Sequence, residues 1–113
     1  MEMSIEELDG GVTLTSLHGR LDVQGAGQID LKFNATAGAR KALIVDLSDV
    51  SFIASMGMRL LLIAGRTVVA KGGKMALLAP TPDVDAVLRT ARIDGVMPIC
   101  TERAAALAAV SPT

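Results

Sequence analysis

The segment Ala42-Leu43-Ile44-Val45-Asp46 constrains this chain more than any other. Four apolar residues in unbroken succession leave no polar side for water, so a strand built from them must be covered on both faces, as strands inside parallel sheets are. It is expected to be the central strand of the fold. A parallel neighbour needs a long crossover connection, usually a helix, and the flanking sequence supplies candidates on either side.

Upstream, Ser4–Leu8 and Val12–Leu17 flank Asp9-Gly10-Gly11, which reads as an amino-terminal β-hairpin. Gly19-Arg20-Leu21-Asp22 is expected to leave the sheet, and Val23–Ala37 to form a helix interrupted by Gly25 and Gly27. Downstream, Leu47–Phe52 reads as a connection. Met56–Lys71 reads as the best-formed helix, with Met58, Leu61, Leu62, Val68 and Val69 apolar and Arg59, Arg66 and Lys71 available for an exposed stripe. Gly72-Gly73 stops it, because glycine readily takes the left-handed conformation that ends helices. Lys74–Ala79 is a further apolar strand closed by Pro80. Thr81-Pro82-Asp83 opens a helix whose Val84, Val87, Leu88 and Ala91 share a face. Asp94-Gly95 turns into a short strand, Val96–Ile99, and Thr101–Val110 forms an Ala-rich terminal helix. Strands alternating with helices give an α/β class, a mixed β-sheet flanked by helices, in one domain over residues 1–110 with 111–113 as a frayed tail.

Composition narrows the function. Hydrophobic residues make up 50% and charged residues 20% of 113 residues, which suits a folded chain with a buried core. Aromatic residues are 2%, so the core is expected to be aliphatic. A net charge of -1 provides no basic footprint for nucleic acid. The acidic start Met1–Glu7 does not read as a signal peptide, and apolar runs such as Leu60–Ala64 are far short of the roughly 20 residues a membrane-spanning helix needs. A cytoplasmic protein without membrane insertion is expected. Cys100 reads as a buried thiol and His18 as a surface imidazole. One cysteine and one histidine cannot make a structural zinc site, and no metal or cofactor is expected. No catalytic constellation is legible either: no serine sits in G-x-S-x-G, and neither Gly pair has P-loop spacing.

The chemistry-bearing stretch follows the central strand, where Phe52-Ile53-Ala54-Ser55-Met56-Gly57-Met58-Arg59 delivers a buried strand into a helix. The first backbone N–H groups of a helix lack internal partners and carry the positive end of its dipole. A hydroxyl at that place serves as an N-cap, or as a phosphate acceptor whose charge the helix end stabilises; the two roles are compatible. Ser55 is the candidate. Met56 and Met58 suit either an adaptable docking surface or the core. Ser48 and Ser51 read as turn residues. Asp22, Asp46 and Asp49 read as carboxylates that satisfy turn N–H groups or support the site.

At these residues the chain resembles the STAS family, named for sulfate transporters and anti-sigma factor antagonists. The pieces are Gly19-Arg20-Leu21-Asp22 beside the family's G-x-L-D, Val45-Asp46-Leu47-Ser48 beside V-D-L-S, and Phe52–Arg59 beside the F/Y-I-D/S-S-S/A-G-L-G/R segment. Gly72-Gly73-Lys74 before a strand fits as well. The resemblance implies a non-enzymatic bacterial partner-switching protein. It would bind a serine-kinase-type anti-sigma factor through Ala54, Ser55, Met56, Gly57, Met58 and Arg59, and be phosphorylated at Ser55 and restored by a cognate phosphatase. In the D-S-S-G form the acceptor directly precedes Gly, and that position here is Met56. In the S-S-A-G-L-R form Ser55 matches the acceptor, and Arg59 favours this comparison. The alternative implied by the same family is a binding or scaffold module without the phospho-switch, serving a transporter, a signalling complex or a hydrophobic ligand.

Overall fold

In the computed structural model, which describes residues 1–111, the apolar run is the start of a much longer strand. This strand, β3 (Ala42–Ile53), lies at the middle of a five-stranded sheet of order β1-β2-β3-β4-β5. The other strands are β1 (Glu2–Leu8), β2 (Val12–Leu21), β4 (Lys74–Leu78) and β5 (Ile99–Cys100), of which β2 and β4 flank β3. β1 and β2 form the antiparallel hairpin across a 3-10 turn at Asp9–Gly11, and the other pairings are parallel. The crossovers are α1 (Val23–Ala39), α2 (Ser55–Ala70) and α3 (Pro82–Thr90), and α4 (Arg103–Val110) closes the chain. Among the described residues no helix is long and apolar enough to cross a membrane.

Strand alternation divides the interior in two. Leu43, Val45, Leu47 and Val50 point towards α1, α2 and α3 and meet Phe33, Leu61, Val68 and Leu88. Ala42 and Ile44 point the other way and meet Val12, Leu14, Leu78, Ala106 and Val110 beneath α4. Leu43, Ile44 and Val45 are all 0% exposed, as a strand covered on both faces requires. The core is aliphatic except for Phe33, the one aromatic residue that is fully buried.

The structure departs from the expected connection at Leu47–Phe52, which is strand throughout. The register explains why it was hidden. Ser16 pairs with Asp46 but His18 with Asp49, and Gly19 pairs with Val50 but Arg20 with Phe52, so β3 carries two extra residues against β2. Each insertion is a β-bulge, which adds a residue to one strand and disrupts the period of two. Leu47, Val50 and Ile53 therefore stay on the buried side at a spacing of three. Gly19-Arg20-Leu21 correspondingly remains in the sheet, with Leu21 paired to Ile53.

Smaller corrections follow from side-chain size and capping. The buried face of α2 consists of Gly57, Leu60, Leu61, Ala64, Gly65 and Val68, so the small residues, which allow close approach, set its orientation and leave Val69 60% exposed. A Cβ on Gly65 would meet Met97 Cε at 2.6 Å. In α3, Thr81 caps the Val84 N–H, burying Val84 and Leu88 while Val87 and Ala91 face solvent. The last strand is Ile99–Cys100 rather than Val96–Ile99, because Ile93–Gly95 takes a 3-10 turn that buries Met97 and exposes Val96. α4 starts at Arg103 rather than Thr101, and Cys100 is half-buried. Of the expected tail, Ser111 is bonded to the Leu107 carbonyl through its N–H, and positions 112 and 113 lie outside the described residues.

Lys71 is not part of an exposed stripe. Its half-buried ammonium donates to the carbonyls of Ala37 (2.5 Å) and Arg40 (2.7 Å), placing a cation on the end of α1, where the helix dipole is negative. Replacing it by methionine keeps the apolar stem and removes both bonds. Lys71→Met is expected to lower stability by about 1–2 kcal/mol, read as a lower urea midpoint at unchanged m-value. An unchanged midpoint would mean that solvent satisfies those carbonyls equally well.

Candidate functional site

Two strands end side by side and each turns directly into a helix, with a glycine at the third helical residue in both cases. β2 passes through Asp22 into α1 with Gly25 third, and β3 passes through Ala54 into α2 with Gly57 third. The Ala54 N–H donates to the Leu21 carbonyl (3.1 Å), so the last bond between the two segments lies at the helix start itself. A Cβ on Gly57 would lie 2.4 Å from that carbonyl oxygen, and one on Gly25 would lie 1.9 Å from the Arg20 oxygen. Only glycine permits either helix to begin so close to the strand ends.

This packing decides how the six predicted docking residues are presented. Ala54 is extended and half-buried and is itself the N-cap residue, with no side-chain cap. Ser55 is thus the first helical residue rather than the cap expected from its type, because the Ala54–Leu21 bond holds the preceding residue in the extended conformation. Its side chain is exposed. Met56 is 45% exposed, Arg59 is exposed, Met58 is half-buried against the core, and Gly57 is buried as the contact point.

Of the three supporting carboxylates, one lies here. Asp22 Oδ1 accepts from the Gly25 N–H (2.8 Å) and Oδ2 from Arg20 Nε (3.3 Å). The Gly25 N–H foremost, opposed by burial and aided by Arg20, holds its carboxyl below the usual carboxylate range. Arg20 in turn lies over the ring of Phe52, 4.3 Å from its centroid. Asp46 and Asp49 do not reach the site. They precede Ile53 along an extended strand, roughly 23 Å and 13 Å away at about 3.3 Å per residue. Asp46 accepts from the Ser48 N–H (2.9 Å), and Asp49 pairs with His18 (2.8 Å). Ser48 and Ser51 are exposed strand residues rather than turn residues.

Two clefts border the start of α2, and sequence reasoning missed both. One, of about 180 Å³, lies between α1 and α2, where Val23, Gly27 and Asp30 face Met56, Arg59 and Ile63. The other, a groove of about 500 Å³, joins Ser55, Arg59, Leu62 and Arg66 to Ala91 and Ile93 beyond α3. Val23, 66% exposed beside an acidic cap, was the available signal for the first. The second depends on how α3 returns to α2, which no local pattern encodes.

The sheet also assembles a chain of side chains that the sequence did not suggest. Ser4 Oγ lies 3.5 Å from His18 Nε2, and His18 Nδ1 lies 2.8 Å from Asp49 Oδ2. All three stand on adjacent strands and are exposed to solvent. Acyl transfer needs donors aimed at a developing oxyanion in a site closed to water, which an open sheet face does not offer. Among the described residues no cluster of His, Cys, Asp or Glu is suited to a metal ion.

The geometry is thus a helix start that displays a serine, bordered by two clefts, on a mixed α/β sheet. The chain belongs to the STAS domain family, whose sequence model matches residues 4–106. Among curated proteins it is similar to BtrV of Bordetella bronchiseptica, named as an anti-sigma factor antagonist, with 24% identity over 96% of this chain and 94% of that one. Among solved structures it is similar to an anti-sigma factor antagonist from Mycobacterium paratuberculosis, at TM-score 0.86, 26% identity and coverage of 96% and 92%. It is also similar to the phosphorylated form of the Bacillus cell fate determinant SpoIIAA, at TM-score 0.70, 27% identity and coverage of 92% and 96%.

Two measurements test this geometry. Gly57→Ala forces a methyl against the Leu21 carbonyl and is expected to destabilise by about 1–3 kcal/mol. Gly27→Ala, where a Cβ meets nothing within 4 Å, is expected to stabilise by up to about 1 kcal/mol. Equal effects in urea unfolding would refute the close approach. The depressed pKa of Asp22 makes its carboxylate stabilising above about pH 4, the unfolded value, with that contribution lost as pH falls through the lower folded value. Asp22→Asn retains a capping oxygen but no titration, so its stability should fall less steeply on acidification than that of the native chain. A superimposable acid limb would dissociate Asp22 from acid sensitivity.

Proposed function

We propose that this chain is an anti-sigma factor antagonist that works by partner switching. It binds a serine-kinase-type anti-sigma factor through the start of α2, is released when that partner phosphorylates Ser55, and is restored by a cognate phosphatase. The observation that carries this reading is the exposed hydroxyl of Ser55 as first residue of a helix whose backbone start is fixed against β2. Family membership and the similarity to anti-sigma factor antagonists support it. The protein acts by contact in the cytoplasm, without catalysis, cofactor or nucleic acid.

The switch follows from electrostatics. Exposed Met56 and the neighbouring Val23 make the partner surface largely apolar. A phosphate adds about -1.5 to -2 charge, and a charge left unpaired in a contact costs up to several kcal/mol. About 2.8 kcal/mol suffices for a hundredfold weaker complex. Because Ser55 is exposed, the modified domain keeps its fold.

Met56 immediately before Gly57 supports a second reading, a STAS binding or scaffold module that has no phospho-switch. Mass spectrometry after incubation with the candidate kinase and ATP separates the two. The switch requires phosphate on Ser55; phosphate on Ser48 or Ser51, or none with an authentic kinase, leaves the scaffold reading. Ser55→Ala should bind the anti-sigma factor constitutively and Ser55→Asp at least tenfold more weakly, with both circular dichroism spectra native.

A further inference from the structure

The charged side chains around α2 are not distributed evenly. Arg20, Arg40 and Arg89 each have a carboxylate partner, in Asp22, Glu7, and Asp85 with Asp94. Among the described residues Arg59 and Arg66 have none, and both line the groove that contains Ser55. No acidic side chain lines that groove. Two exposed cations therefore share one surface with the serine, and among the described residues neither is held in an ion pair, Asp30 lying in the other cleft that Arg59 borders.

Helix geometry assigns them unequal roles. Arg59 is four residues beyond Ser55, so the two side chains are neighbours one turn apart, with Cβ atoms about 6 Å from each other. Helical side chains lean towards the helix N-terminus, which aims the guanidinium of Arg59 back at Ser55. Arg66 follows seven residues later on nearly the same face, about 10 Å further along the axis at about 1.5 Å per residue. Arg59 is within reach of a group on Ser55, whereas Arg66 acts on it only through space.

We propose that Arg59 clamps the phosphate of phosphoserine 55 within the same chain, with Arg66 adding a weaker, longer-range attraction. The inference rests on Ser55 being the phosphorylated residue. Arginine suits the task because its planar fork donates two parallel N–H groups to phosphate oxygens. The clamp defines what modification does to the surface: it adds a dianion and simultaneously engages the nearest cation, so the groove changes from positive to nearly neutral. A partner that presents carboxylates to this groove loses its counter-charge in the same step.

The test uses the full chain with phosphoserine introduced at position 55 during translation, and follows its second ionisation by phosphorus NMR. A phosphoserine without partners titrates near pH 6. In the native background the midpoint is expected about half a unit lower, since a neighbouring cation favours the charged form. Arg59→Gln should abolish most of that shift and Arg66→Gln a minor part, while Arg103→Gln, on α4 across the sheet, should leave it intact. A midpoint unaffected by Arg59→Gln, or equally affected by Arg103→Gln, would overturn the clamp. Translation installs the phosphate without a kinase, so the titration judges the clamp independently. A kinase that leaves Ser55 unmodified would sink the switch without touching this result.

Discussion

Everything about the site depends on the parallel pairing of β2 with β3 reaching Leu21 and Ile53. That pairing brings two strand ends, and so two helix starts, into register at one edge of the molecule. Ala54 bonds to Leu21 and α2 begins one residue later, at a place set by backbone geometry rather than by a capping side chain. The pairing is secured by burial: Leu47 and Val50 are 0% exposed, and each fully buried aliphatic side chain contributes about 1.5–3 kcal/mol. The bulges are what allow those residues to remain buried over so long a strand.

The two faces of the sheet treat polar residues differently, and this separates structure from function. On the open face His18, Asp49 and Ser4 satisfy one another, and Glu7 meets Arg40 and Thr13 at the other side of the hairpin. At the strand ends Asp22 is engaged by Gly25 and Arg20. These groups are internally paired and have little left to offer a partner. The start of α2 is the contrast, with an exposed serine, an exposed methionine and unpaired arginines. A surface whose charges are not neutralised internally is available for a contact from outside.

Much of this was legible from residue types and much was not. The central strand, the hairpin, the order of helices and the serine at the start of α2 all follow from local patterns: a continuous apolar run, Asp-Gly, periodicities and glycine stops. The extension of β3 to Ile53 was not legible, since two bulges convert its spacing from two to three and the polar residues Ser48, Asp49 and Ser51 then resemble a turn. That error moved Asp46 and Asp49 towards the site, when they lie far along the strand. The second misplacement was of Ser55 itself. Serine prefers the cap, but a bond from Ala54 to a strand distant in sequence decided the boundary, and a long-range bond leaves no trace in a local window.

The same boundary bears on which residue of α2 can carry a phosphate. Residues adjacent along a helix point about 100° apart, given 3.6 residues per turn, so Ser55 and Met56 serve different clefts. Met56 faces the cleft between α1 and α2, where Asp30 stands on the opposite wall. A phosphate at position 56 would meet Arg59, which lines this cleft as well, but also the Asp30 carboxylate, whose like charge offsets part of that attraction. Ser55 faces the groove that contains Arg59 and Arg66 and is lined by no acid. Between the two family comparisons, one placing the acceptor directly before Gly57 and the other one residue earlier, the electrostatics favour the second. A methionine at position 56 then fits the apolar part of the proposed docking surface, on the side of the helix that Asp30 faces.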